Sequence, residues 1–438
     1  MPSEIADCIN RLTPFVNTTD QKRVPGLGTP EDVHLYCLKQ FLWRSDMVRW
    51  GDYNITKTDM DFVNGLLASM VEQTEGKHSR NKRQSKGSKL PQTGFRIRKE
   101  YRRLSDTERN AFHKVLNQMK KNGQYDKLAN LHRGAATMSA HFGPNFLGWH
   151  RVYLALMEEA IRKIDKKLSL PYWDSTLDFD MENPANTIMF SPEFLGDGYG
   201  VVTTGPFANW ATPIGQLERN IGGDSELFSK EIIKSIMKRC KTSEIVAPTA
   251  DSDSDIELYH GGPHVWVGGH MTGLNTAAHD PVFFLHHAFV DYIWETFRTR
   301  QSSVCKVNPE LDYPKASGEH ASNRAMDGLS GFVNIDGYRN YWTKSWYKYE
   351  RSPTCPSCGS PYLKCDKARG VCVSIERKLT PEEGSQAGGS LEFFAKDTAQ
   401  SPRAASARDQ VKQLDVGPTF RAPPAEPRTQ KAQLARMR

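Results

Sequence analysis

The chain has no apolar run long enough to cross a membrane, which excludes a helical span. It has no internal repeat of the solenoid type, so a stacked-repeat architecture is excluded as well. Met1 to Asn10 lacks the apolar stretch of a signal peptide, so a secreted form is expected to have lost its presequence. Net charge is only +7, and the basic excess falls largely in two low-complexity stretches, so charge gives no argument for nucleic acid. One of these stretches closes the chain. From about Glu376, Lys, Arg, Pro, Ala, Gln and Ser dominate, and residues 376–438 read as a disordered tail.

What is present supports a large core. The 438 residues are 38% hydrophobic and 10% aromatic, enough for one large domain with additions or for two domains. The second basic stretch, residues 76–94, is a linker that ends an N-terminal region of residues 1–94. Within it, Arg80-Asn81-Lys82-Arg83 is either a processing site, cut after Arg83, or a plain solvated loop. Asn17 and Asn54 lie in sequons that suit a secreted chain. Of the eight cysteines, Cys355, Cys358, Cys365 and Cys372 form a compact module over 351–375. Two disulfides or a zinc ion would satisfy it, and an extracellular setting favours the disulfides.

Helical periodicity is expected over residues 32–50 and over 58–70, with Thr58 as N-cap. Ser105 and Glu108 have the spacing of a capping box, opening a helix to Lys121, with another over 125–131. Residues 149–166 carry the strongest apolar stripe. Further helices are expected over 226–238, around His260 and His264 after the acidic run 251–255, and over 281–299.

There are 13 histidines. His34, His78, His113 and His320 sit in polar or loop settings. The others fall into two groups. In the first, His132 and His141 precede His150 at nine-residue intervals, and Phe142, Phe146 and Trp149 wrap them in apolar surface. In the second group, His260 and His264 are four residues apart and project from one helix face. His286 and His287 lie in an aromatic run where an imidazole needs a hydrogen-bond partner or a metal. His287 would supply a third donor from the next helix. Asp291, one turn beyond it, could hold that helix or a ring nitrogen in place. No carboxylate falls within the ligand spacings, unlike a hydrolytic two-metal site. Imidazole suits copper, zinc, iron and nickel. A pair of three-imidazole sites best suits copper that binds dioxygen, with zinc the alternative.

Residues 141–151, His-Phe-Gly-Pro-Asn-Phe-Leu-Gly-Trp-His-Arg, resemble the first copper signature of the family of tyrosinases, catechol oxidases and molluscan haemocyanins. Asp280-Pro281-x-Phe283-x-x-His286-His287-x-x-x-Asp291 resembles the second. Pro171-Tyr172-Trp173-Asp174 resembles the element between them. The resemblance spans about residues 95–300, with wording most like invertebrate, mollusc-like tyrosinases. It implies a mainly α fold: an antiparallel four-helix bundle around a dinuclear copper site, with long irregular loops and a small disulfide-rich C-terminal module. The copper domain would occupy 95–350. The resemblance assigns His132, His141 and His150 to one copper (CuA), with His113 as fallback for His132. It assigns His260, His264 and His287 to the other (CuB). His286 becomes a neighbour, and His270 and His279 become structural.

The resemblance also implies two copper ions bridged by dioxygen as peroxide, and oxidation of o-diphenols to o-quinones. Tyrosinases hydroxylate monophenols first. The implied partners are small phenols or the tyrosyl and DOPA side chains of matrix proteins, outside the cell. The alternatives are a haemocyanin-like dioxygen-binding protein without turnover, and a catalytically silent structural relative. Many monophenol-hydroxylating members have Asn directly after the first CuB histidine, where this chain has Gly261. Glu257, one turn before His260, matches the Glu that polarises a water to accept the phenol proton. Diphenol oxidation is therefore expected ahead of monophenol hydroxylation. No Cys lies between residues 132 and 150, so the Cys–His thioether of some relatives is absent. Relatives are often kept latent by a C-terminal plug; the tail here lacks the composition of one, so an accessible site is expected.

Overall fold

The computed structural model describes residues 56–81, 95–133, 139–223 and 225–378, with backbone alone for 72–81, and a few isolated positions before residue 56. Most of the expected helix over 32–50, both sequons, Lys82, Arg83 and everything from residue 379 lie outside the described residues.

Helix α1 (Lys57–Asn81) is capped by Thr56, not Thr58: the Thr56 hydroxyl accepts the Asp59 N–H at 3.2 Å. Thr58 already lies inside the first turn, where its own N–H is one of the orphans that a cap serves. The helix also continues past residue 76, into the stretch expected to be loop. The capping box before α2 (Asp106–Lys121) is present. Ser105 Oγ accepts the Glu108 N–H, and Glu108 Oε2 accepts the Ser105 N–H. After a left-handed Gly123 (φ 76°) comes α3 (Gln124–Ala129), extended by a 3-10 turn, Asn130–His132.

Helix α4 (Asn145–Ile164) begins directly after Pro144, so the whole Asn-Phe-Leu-Gly-Trp-His segment is helical; it starts four residues before the expected 149 and ends two before the expected 166. Helix α5 (Lys230–Lys238) starts later than expected because Ser229 caps it, accepting the Ile232 N–H at 3.2 Å. Asp255 caps α6 (Ile256–Val267), accepting the Glu257 and Leu258 N–H groups. Helix α7 (Val282–Ser303) is led by Asp280, which accepts the Val282 N–H.

Helix α4 packs on α2 and α7, and α7 packs on α6. Tyr153 meets Phe284 while His150, earlier in α4, meets His287, later in α7; the two helices run antiparallel. These four helices form the bundle. Gly148 lets the turn Asn334–Tyr338 lie on α4 backbone to backbone: a Cβ on Gly337 would come within 2.3 Å of Gly148.

Among the described residues, strands form only four two-stranded sheets. β1 (Arg96–Arg98) pairs in parallel with β6 (Tyr347–Tyr349). The other pairs are antiparallel: β2 (Tyr199–Val201) with β5 (Glu218–Asn220), β3 (Ala211–Thr212) with β4 (Gly215–Gln216), and β7 (Leu363–Asp366) with β8 (Val371–Ser374). The cysteine module is built on β7 and β8 and closed by disulfides Cys355–Cys365 and Cys358–Cys372, which settles it as a disulfide module rather than a zinc site. Cys240–Cys305 ties the end of α7 to the end of α5. Residues 376–378 do not belong to a disordered tail. Glu376 bridges to Thr187, and the Arg377 N–H donates to Asn186 O at 2.7 Å. No described helix is long and apolar enough to cross a membrane.

Candidate metal centre

The first three histidines arrive from different local structures. His132 ends the 3-10 turn after α3, His141 lies in the irregular segment before α4, and His150 sits in the second turn of α4. Their ring nitrogens come within 4.8 Å of one another. His113 is not among them: its Nε2 lies 2.5 Å from the Tyr101 hydroxyl. His260 and His264 project from α6, and His286 and His287 from α7. All of these side chains are buried.

The tautomers follow from the acceptors. A backbone carbonyl can only accept, so a ring nitrogen facing one carries the proton. His132 Nδ1 donates to Leu274 O, His150 Nδ1 to Phe146 O, and His264 Nδ1 to Met271 O, each at 2.8 Å; His260 Nδ1 donates to Glu257 O at 2.6 Å. The Nε2 atoms of these four rings therefore carry lone pairs. Yet His132 Nε2 lies 3.3 Å from His150 Nε2, and His264 Nε2 lies 3.2 Å from His287 Nε2. In the first contact two lone pairs face each other, and they repel unless a cation joins them. Nitrogens bound at roughly 2.0 Å to one ion in tetrahedral geometry stand about 3.3 Å apart. The residues fit a metal ion in each triad.

His286 is as near to His260 and His264 as a ligand would be, and proximity alone groups these three. Hydrogen bonding separates it from His287. His286 Nε2 donates to His260 O at 2.9 Å, so that nitrogen is engaged in holding α6 to α7. His287 turns its Nε2 toward His264, and its ring stacks on His150 at 4.3 Å and 13°. The two triads thus meet face to face through one ring of each.

Burial keeps these imidazoles neutral, the state in which they ligate. Desolvation pushes His132 down to about 3 and His264 to about 4, and holds His150, His260 and His287 well below the ordinary 6.5. Two phenylalanines close the space. Phe146 lies 4.8 Å from His150 and 4.7 Å from His260; Phe283 lies 4.8 Å from His132 and 4.1 Å from His287. Phe284, the next residue, turns toward Tyr125 and Tyr153.

Glu257 is buried, and its Oε1 accepts the Phe142 N–H at 2.7 Å. Phe142 has φ 65°, an uncommon conformation for a side chain of this size, and this bond pins it beside His141. His320 packs its ring over Gly143, where a Cβ would come within 2.7 Å of it, although its sequence setting gave it no role. His270 bonds Thr212 and the Glu218 N–H, and His279 lies 3.5 Å from Asp126. Trp173, from the Pro-Tyr-Trp-Asp element, donates its backbone N–H to Leu285 O, one residue before the His286–His287 pair.

Of the two roles expected for Asp291, holding its helix or a ring nitrogen, its contacts match the first and not the second. Its Oδ1 accepts Arg151 Nε at 2.7 Å, and its Oδ2 accepts the hydroxyls of Tyr347 and Tyr349, each at 2.6 Å. Burial alone would raise this carboxyl, but Arg151 and Arg98 pull it below the ordinary carboxylate range. Sequence reading missed Arg98, Tyr347 and Tyr349, which come from β1 and β6; only Arg151 carried a signal, as the residue after His150.

A family profile described as the common central domain of tyrosinase matches residues 122–300. A tyrosinase-like protein of Pinctada maxima is 36% identical over 381 residues, 80% of this chain and 81% of that protein. A tyrosinase-like protein of Caenorhabditis elegans is 39% identical over 294 residues, 63% of this chain but only 42% of that protein's length. The tyrosinase of Streptomyces glaucescens is 32% identical over 47% of this chain and 83% of its own. With likeness to the Pinctada protein running through about four fifths of both chains, and two facing imidazole triads at its centre, the chain belongs to the tyrosinase family of type-3 dinuclear copper oxidoreductases.

Proposed function

We propose that the chain is an extracellular phenol oxidase that converts o-diphenols to o-quinones at the expense of dioxygen. His132, His141 and His150 hold one copper, and His260, His264 and His287 hold the other. The observation that carries this reading is the His132 Nε2–His150 Nε2 contact at 3.3 Å between rings whose protons are committed to carbonyls, with His264 Nε2 likewise left as a lone pair 3.2 Å from His287 Nε2. The copper pair, when bound, supplies the four-electron reduction of dioxygen to two waters, matched by oxidation of two diphenols.

The protein's own part is positional. Carbonyls of Leu274, Phe146, Glu257 and Met271 fix four rings with their donor atoms inward. Phe146 and Phe283 keep water from the space between the triads. Glu257 takes the phenolic proton, directly or through one water, with Oε1 already held by the Phe142 amide. Gly261 offers no side-chain amide to share that water, so monophenol hydroxylation is the slower activity. Substrates are small phenols or tyrosyl and DOPA side chains of matrix proteins. The disulfides are the support for an extracellular setting.

The test is oxygen uptake with an o-diphenol and a monophenol after copper loading. Diphenol turnover in excess of monophenol turnover is expected. A copper-loaded chain that binds oxygen reversibly and turns over neither phenol would be an oxygen carrier, and this reading would be wrong.

A further inference from the structure

We propose that Asp291 and Arg151 are positioning residues that set the spacing between the two histidine triads. The inference rests on the two-copper reading above. The triads are anchored on different helices, α4 and α7, so the distance between the metal sites is a helix-to-helix distance. Two rungs join these helices at the site. One is the stack of His150 on His287. The other is Arg151 with Asp291. Arg151 directly follows His150. Asp291 follows His287 by four residues, which puts it on the same face of α7, one turn on.

The stack alone defines little, because two neutral rings can slide over one another. The ion pair is directional. Arg151 Nε meets Asp291 Oδ1 at 2.7 Å, and Arg151 Nη2 meets Glu295 Oε2 at 2.9 Å, so the guanidinium spans two turns of α7. Its plane lies 4.0 Å over the Trp294 ring. Asp291 Oδ2 is held from outside the helices by Tyr347 and Tyr349 of β6, with Arg98 of β1 at 3.4 Å. Both oxygens of the carboxylate are thus committed, and Arg151 and Asp291 are buried. A buried pair of this kind is costly to desolvate, and its best-attested use is to fix register rather than to add stability.

The experiment uses copper-loaded full-length chain. It reads copper per chain, the oxygen-dependent absorption band, and the share of Cu(II) visible by electron paramagnetic resonance. Two ions at close, fixed spacing are magnetically coupled and silent; ions held apart are visible. Asp291→Asn keeps an oxygen for the tyrosines but loses the charge. It should retain about two coppers while the band falls at least several-fold and a Cu(II) signal appears. Arg151→Lys should do the same, and the double variant should be no worse than either, as expected of a pair. Glu231→Gln, at an exposed ion pair of α5 away from both rungs, should leave the spectra unchanged. If Asp291→Asn does not fold, Arg151→Lys and Tyr347→Phe carry the test. The proposal is overturned if the folded variants keep a silent Cu(II) pair and a full band, or if the two losses simply add. A wild-type chain without the band would instead overturn the two-copper reading itself.

Discussion

The two triads are built differently. The second is borne on helices α6 and α7: His260 and His264 share one face of one helix, and His287 faces them from the other. The first has only His150 on a long helix. His132 ends a 3-10 turn, and His141 lies outside regular structure. Orientation differs in the same way. His150 and His260 each donate to a carbonyl three or four residues back in their own chain segment. His132 must borrow Leu274 O, which is 142 residues away. The lesson is that a helix can orient its own histidine through a carbonyl one turn back, as for His150 and His260, whereas His132, at the end of a 3-10 turn, is oriented by the opposite half of the site. The turn of residues 269–276 serves both, because Met271 O holds His264 and Leu274 O holds His132.

The largest effect that would sharpen this contrast comes from the adjacent histidines. His287→Ala should leave one copper per chain and cut diphenol turnover by more than about 100-fold, beyond the range seen for outer partners. His286→Leu should keep both coppers and lose about 1–3 kcal/mol of stability, because it leaves His260 O without its donor. If instead His286→Leu released a copper and His287→Ala did not, the assignment would be reversed.

Next comes the shared turn. Thr276 Oγ1 donates to His270 O, and the same hydroxyl lies 3.2 Å from Gly273 O, so it holds that turn closed. Thr276→Val should weaken copper binding roughly 10-fold at both sites, measured by chelator competition. An effect on one site alone would break the idea that the turn orients both triads.

The Gly261→Asn variant should have a smaller effect, raising monophenol turnover relative to diphenol turnover as it gives Glu257 a partner for the water. An unchanged ratio would refute the account of Gly261. The smallest effect is with acid. The folded-state value of Asp291 is depressed, so its contribution to stability is fully present above the ordinary 3.8 and fades as pH falls through that value and below. Thermal midpoints of Asp291→Asn and wild type should therefore converge as pH drops below 4, and a gap that stays constant would contradict the pairing.

Legibility in the sequence followed the range of the interactions. The capping box at Ser105 and Glu108, the i and i+4 placement of His260 and His264, and the disulfide reading of the cysteine module all rest on residues near one another in the chain, and all are present in the structure. Thr58 was named as cap where Thr56 serves, since two hydroxyls two residues apart offer the same local signal. The partner of Asp291 was out of reach: Arg151 is 140 residues away, and Tyr347 lies in a strand that periodicity did not resolve. The carbonyl that orients His132 was hidden for the same reason, since backbone acceptors leave no trace in side-chain pattern.

The most direct test of the central claim is a copper titration of the metal-free chain under dioxygen, followed by absorption. Two coppers per chain, with an absorption band that appears with oxygen and fades when it is removed, are predicted. Binding of zinc in preference to copper, or two coppers with no oxygen-dependent band, would contradict the account.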